Sequence, residues 1–120
     1  MAVQRTAARA LLHPEAEGFY RERTALFRDR RDRIARVLGD LGFKFQLPRA
    51  SYYFWVHIPQ SYASSVEFCA DLLEKQGLVV TPGVGYGPSG ESFFRVSMTA
   101  PDARIDEGLE RLKAFMKERE

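Results

Sequence analysis

The apolar positions of the chain fall into helical stripes broken by short alternating runs. From Glu17 to Leu41, the residues Phe27, Ile34, Val37, Leu38 and Leu41 recur at helical spacing, and Gly42 is a natural stop. Ahead of it, Met1 to Leu12 is rich in alanine and reads as a short helix ended near His13-Pro14. Phe43 to Leu47 alternates like a strand, Pro48-Arg49 breaks it, and the aromatic run Ser51 to Ile58 reads as a second strand ended by Pro59. Ser64-Ser65-Val66-Glu67 fits a capping box. The helix it opens turns Val66, Cys69, Leu72 and Leu73 inward and stops at Gly77. Leu78 to Thr81 and Phe93 to Thr99 read as two further strands, and Asp102 to Lys117 as a last helix with Ile105, Leu109, Leu112 and Met116 on one stripe. The order helix, helix, two strands, helix, two strands, helix predicts an α+β fold, with helices packed on one face of a small, largely antiparallel sheet.

Composition narrows the class. A chain of 120 residues is long enough for one modest core, and 45% hydrophobic with 28% charged residues fits a soluble globular protein. No apolar run is long enough to span a bilayer, and the N-terminal stretch has no apolar leader core. The single cysteine, Cys69, permits no internal disulfide, so the sequence predicts a cytoplasmic protein without membrane partners. Cys69 itself reads as a small core hydrophobe. A formal charge of +2 does not argue for nucleic acid. Arg21, Arg23, Arg28, Arg30, Arg31, Arg33 and Arg36 crowd the long helix, but Glu22, Asp29 and Asp32 are intermixed with them. That pattern predicts a solvated helix face rather than a nucleic-acid surface. His13, His57 and Cys69 lack the spacing of a metal site, and His57 reads as a hydrogen-bonded edge residue.

The segment Thr81 to Met98 carries the chemistry. A short strand enters a Pro/Gly-rich loop, and the loop enters a strand on which Phe94, Val96 and Met98 share one face and Phe93, Arg95 and Ser97 the other. An arginine on a strand must find a partner, and its planar fork matches a carboxylate or phosphate bidentately. Two readings follow: a glycine-framed site offering Arg95 to a small anion, or a structural ion pair between Arg95 and an acid such as Glu91. Gly85-Tyr86-Gly87-Pro88-Ser89-Gly90 spells G-x-G-x-x-G, but a strand follows it where a dinucleotide site needs a helix N-terminus, so no such site is expected.

Four stretches together resemble the C-terminal part of the fold-type I, pyridoxal-phosphate-dependent aminotransferases of classes I and II. Val3-Gln4-Arg5-Thr6-Ala7-Ala8-Arg9-Ala10-Leu11 is similar to the family's V-Q-x-A-A-x-x-A-L helix. Arg30-Arg31-Asp32 resembles the end of its Y-x-x-R-R-D helix. Pro48-Arg49-Ala50-Ser51-Tyr52-Tyr53-Phe54-Trp55 looks like its P-x-A-T-F-Y-x-W strand, in the form common to the diaminopimelate, aspartate and alanine branch. Val80-Thr81-Pro82-Gly83, the glycine loop and Phe94-Arg95-Val96-Ser97 match its V-x-P-G…G-x-x-x-x-R-x-S block.

The resemblance implies an amino-acid aminotransferase working with pyridoxal 5'-phosphate on an amino acid and a 2-oxo acid. It implies that Arg95 salt-bridges the substrate α-carboxylate. It implies that residues 1–16 are a remnant of the large domain and residues 17–120 the small domain, with a cofactor-binding large domain or a homodimer partner beside them. The family's Schiff-base lysine lies in an S-x-S-K-x-x-x-x-x-G-x-R segment upstream of the Gln-Ala-Ala helix. Lys44, Lys75, Lys113 and Lys117 do not have that context, so no catalytic or cofactor-binding residue is expected in this chain, which alone is expected to be inactive. The alternative is a non-catalytic fragment or relic, or an assembly or carboxylate-binding domain that retains the fold.

Overall fold

The computed structural model describes residues 1–119. Helix α1 (Ala2–Leu11) and the long helix α2 (Ala16–Asp40) precede strand β1 (Tyr53–His57), helix α3 (Ser65–Gln76), strand β2 (Thr81–Pro82), strand β3 (Phe93–Ser97) and helix α4 (Asp102–Lys117). Two 3-10 turns, Gly83–Tyr86 and Pro88–Gly90, fill the space between β2 and β3. The sheet has three strands in the order β1-β3-β2, and both pairings are antiparallel. The fold is therefore α+β with an antiparallel sheet, as the hydrophobic pattern predicts.

The helix boundaries have local causes. Gly42 takes a left-handed φ of 78° just beyond α2, and the Phe43 amide returns to the Leu38 carbonyl at 3.0 Å. At the start of α3 the Ser64 Oγ accepts from the Glu67 amide at 3.1 Å. The Glu67 carboxylate reaches back to the Ala63 amide at 3.1 Å, one residue ahead of the usual capping-box partner.

One face of the sheet carries the core. Phe54, Val56, Phe94 and Met98 meet Ile34 and Leu38 of α2, Phe68 and Leu72 of α3, and Ile105, Leu112 and Phe115 of α4, all essentially buried. Phe68 is the hub, with its ring 4.8 Å from Phe94, 6.0 Å from Phe115 and 6.4 Å from Phe43. Tyr53, Trp55, His57, Phe93 and Arg95 point to the opposite face, where none is fully buried.

Four expectations are corrected. Phe43 to Leu47 alternates in burial but joins the sheet only through one bridge, Phe45 to Val56, with the His57 amide bonded to the Lys44 carbonyl. Pro48 stops further pairing, since it has no N–H to donate. The strand expected at Leu78 to Thr81 contracts to Thr81–Pro82, which stand opposite Arg95 and Phe94 of β3. In α3 it is Phe68 that turns inward with Cys69 and Leu72, while Val66 and Leu73 are about half exposed; Ser65 is drawn inside by polar contacts instead. In α4, Phe115 is buried and Met116 only partly so.

Candidate functional site

Arg95 stands in the middle of β3, the central strand, with Trp55 of β1 on one side and Thr81 of β2 on the other. It points away from the helices. Among the described residues no carboxylate pairs with it, so the ion pair with Glu91 is not formed. Glu91 is committed elsewhere: its carboxylate accepts from the Ser65 amide at 2.7 Å, at the N-terminus of α3, where the helix dipole favours a negative charge. The Arg95 guanidinium instead lies over two aromatic rings, 4.1 Å from the Tyr53 centroid and 4.6 Å from that of Tyr86. Tyr86 in turn meets the edge of Trp55 at 5.3 Å.

The glycine loop fixes Tyr86. Gly83 and Gly90 press backbone to backbone, so a Cβ on either would sit 2.1 Å from the other's carbonyl oxygen. Only glycine permits that approach. The buried Ser65 hydroxyl then accepts from the Val84 amide at 3.3 Å, tying the loop to α3. After Gly90 the chain enters β3 and not a helix, so the G-x-G-x-x-G spelling builds no dinucleotide cradle.

The concavities lie elsewhere. Clefts of about 620 and 630 Å³ share Lys44 and His57, and neither is lined by Arg95. Arg95 thus faces an open surface that offers one wall of a site. His57 is exposed, stacks on Phe93 at 4.2 Å and uses its backbone amide at the sheet edge. Cys69 is buried, and burial pushes its thiol up to about 11, as for an inert core cysteine. Among the described residues no three His, Cys, Asp or Glu side chains come together to hold a metal. No helix there is long and apolar enough to cross a membrane.

The lysines do not fit the imine-forming role. Lys75 and Lys113 are tied to Asp71 and Glu110 at 2.9 and 2.7 Å on helix surfaces, and Lys44 and Lys117 stand exposed. An amine made nucleophilic by sequestration is not among them. Among the described residues no lysine thus offers the sequestered amine that an imine with pyridoxal phosphate would need.

One charged residue escapes the sequence reading. Arg30 is not on a solvated face: it is 9% exposed. Its Nε donates to Asp102 at 2.6 Å and its Nη1 to the Met98 carbonyl at 3.0 Å. Arg33 reaches the same Asp102 at 3.4 Å and Asp106 at 2.5 Å, so α2 and α4 are laced together just beyond the end of β3. The sequence signal was present in the helical phase, since Arg30 lies one turn before Ile34, but the surrounding charges hid it.

Residues 1–112 match the family described as aminotransferase class I and II. The LL-diaminopimelate aminotransferase of Dehalococcoides mccartyi is 43% identical over 93 residues, which are 78% of this chain and 24% of that protein. The solved aromatic aminotransferase of Pyrococcus horikoshii superposes on 94% of the chain with a TM-score of 0.87 at 26% identity, using 30% of its own length. L,L-Diaminopimelate aminotransferase from Chlamydomonas reinhardtii superposes on 89% with a TM-score of 0.80 at 29% identity, using 26% of its length. The chain spans about a quarter of the length of the curated relatives it matches.

Proposed function

The chain belongs to the class I and II aminotransferases, and from that premise we propose that it supplies the substrate-carboxylate half of an amino-acid aminotransferase site. Residues 1–16 act as part of a large domain and residues 17–120 as the small domain, a division supported by α1, which buries none of its residues. Pyridoxal phosphate, when bound by the complete enzyme, supplies the electrophile and electron sink of amino transfer. This chain contributes binding and orientation. Arg95 takes the α-carboxylate shared by the amino acid and the 2-oxo acid through two parallel N–H···O bonds. Both substrates of the exchange carry that group, so one arginine serves both halves of the reaction.

The observation that carries the proposal is the state of Arg95: central in the sheet, facing away from the core, and stacked on rings rather than spent on a carboxylate. Binding to an acid within the fold would have consumed its donors. The test is kinetic, in an enzyme that combines this chain with a lysine-bearing large domain. Arg95→Lys keeps the charge and loses the fork, so KM for both substrates should rise by roughly two orders of magnitude, a loss of about 2–5 kcal/mol counting the effect on kcat. Unchanged kinetics in Arg95→Lys with a folded protein would leave the assembly role standing in place of this one.

A further inference from the structure

A carboxylate site on a bare, mobile arginine would be poor, because the side chain must give up rotamer freedom on binding. Arg95 is not bare. Tyr53 approaches it from β1, and Tyr86 from the loop that leaves β2, with ring centroids 4.1 and 4.6 Å from the guanidinium carbon. A ring face attracts the cation without accepting any of its in-plane N–H donors. The two rings therefore hold the charge and shed water from it, while the fork meets no acceptor among the described residues. Tyr86 is about half exposed and takes its place from the loop: the Gly83–Gly90 contact, the Val84–Ser65 bond and the edge of Trp55 all fix it.

We propose that Tyr86, together with Tyr53, is a positioning residue that stacks the Arg95 guanidinium into the orientation in which it takes a carboxylate, so that the glycine loop acts on binding through the Tyr86 ring. The inference rests on Arg95 being the carboxylate site. It accounts for the close glycine packing of the loop: a Cβ at Gly83 or Gly90 would shift the segment that carries Tyr86. The ring is the active part, because the Tyr86 hydroxyl makes no hydrogen bond among the described residues.

The chain carries its own reporter. Trp55 is its only tryptophan and sits directly across from Arg95 in the strand register. Titration of the 120-residue chain with pyruvate, a small 2-oxo acid, should change Trp55 fluorescence saturably. Tyr86→Phe should bind within about twofold of the parent, and Tyr86→Leu about five- to tenfold more weakly, the size of a lost cation–π contact. In arginine Nε–Hε NMR spectra, the Arg95 resonance should lose the Tyr86 share of its ring-current displacement, the Tyr53 share remaining, and gain fast motion in Tyr86→Leu but not in Tyr86→Phe. Arg95→Gln should abolish saturation. Equal binding by the parent and Tyr86→Leu, with Arg95→Gln inactive, would overturn the positioning role and leave the carboxylate site intact. An equal loss in Tyr86→Phe and Tyr86→Leu would do the same, since the hydroxyl and not the ring would then matter. No saturable response in the parent, or an unchanged response in Arg95→Gln, would overturn the carboxylate site and the positioning role with it.

Discussion

Arg30 and Arg95 show how one residue type serves opposite ends within a single small fold. Arg30 is taken out of water and repaid by Asp102 and the Met98 carbonyl, with the Phe27 ring 5.4 Å away; Arg95 stays half-buried on rings, its donors unspent among the described residues. Removing Arg30 takes the donor from the Met98 carbonyl and empties the space its buried stem fills, while Asp102 stays half-exposed and within reach of Arg33. Arg30→Ala should therefore lower stability by about 1–3 kcal/mol, seen as a fall in the urea midpoint at unchanged slope. Arg95→Ala should leave that midpoint almost unmoved. At the same scale two groups set the alkaline limit. Burial pushes the Cys69 thiol up to about 11, and burial together with the hydrogen bond to Asp71 pushes the Tyr62 hydroxyl up to about 12. Both folded values lie above the ordinary ones of 9.0 and 10.0, so the fold favours the protonated forms. Their contribution is complete below pH 9 and is lost as pH rises from 9 to 12, with Cys69 accounting for the earlier part. Urea midpoints measured across that range should fall, and Cys69→Ala should flatten the decline between pH 9 and 11. Asp71 has the opposite sign. Its hydrogen bonds from Tyr62 and Lys75 lower its pKa, so its contribution holds above the ordinary value of 3.8 and fades as pH falls below it.

Among the elements, the loop from Gly83 to Gly90 separates glycines that are required from glycines that are incidental. Gly83→Ala and Gly90→Ala each drive a methyl into backbone at 2.1 Å, which no side-chain motion can relieve. Each should cost about 1–3 kcal/mol by forcing the loop open. Gly85 has nothing within 4 Å of the corresponding position, so Gly85→Ala should be nearly neutral in the same thermal melts. Equal effects at all three positions would show that loop flexibility, and not close packing, is what glycine provides. The sequence displayed the glycines but not which pair touches, because that contact closes only when β2 pairs antiparallel with β3 at the two ends of the loop. The same limit explains the strands. Alternation at Phe43 to Leu47 is genuine in burial, yet pairing depends on a partner, and Pro48 leaves only the bridge at Phe45. In α3 the apolar residues surround more than one face, so periodicity alone could not choose Phe68 over Val66 and Leu73. The polar grip on Ser65 made the choice. Where one stripe dominated, as at Ile105, Leu109 and Leu112 in α4, the reading and the fold agree.

For the whole molecule, the distribution of buried surface divides the chain unevenly. The body spans 53 Å in its long direction but only 29 and 24 Å in the others, and α1 contributes no buried residue. Val3, Leu11, Leu12, Phe19 and Tyr20 are largely exposed along α1 and the first turns of α2. A helix of ten residues is marginal in water unless its apolar side is packed. Amide exchange should therefore be fast throughout Met1 to Leu12 and slow in β1, β3, α3 and α4, whose side chains make the core. The exposed apolar positions should also drive concentration-dependent association of the isolated chain, visible by sedimentation. If residues 1–16 work as part of a large domain, a separately expressed lysine-bearing domain should slow exchange across α1 and suppress that self-association in the same titration. Slow exchange of α1 in a dilute monomer would instead show that the helix is stable without a covering surface, and the division of the chain at residue 16 would then have to be abandoned.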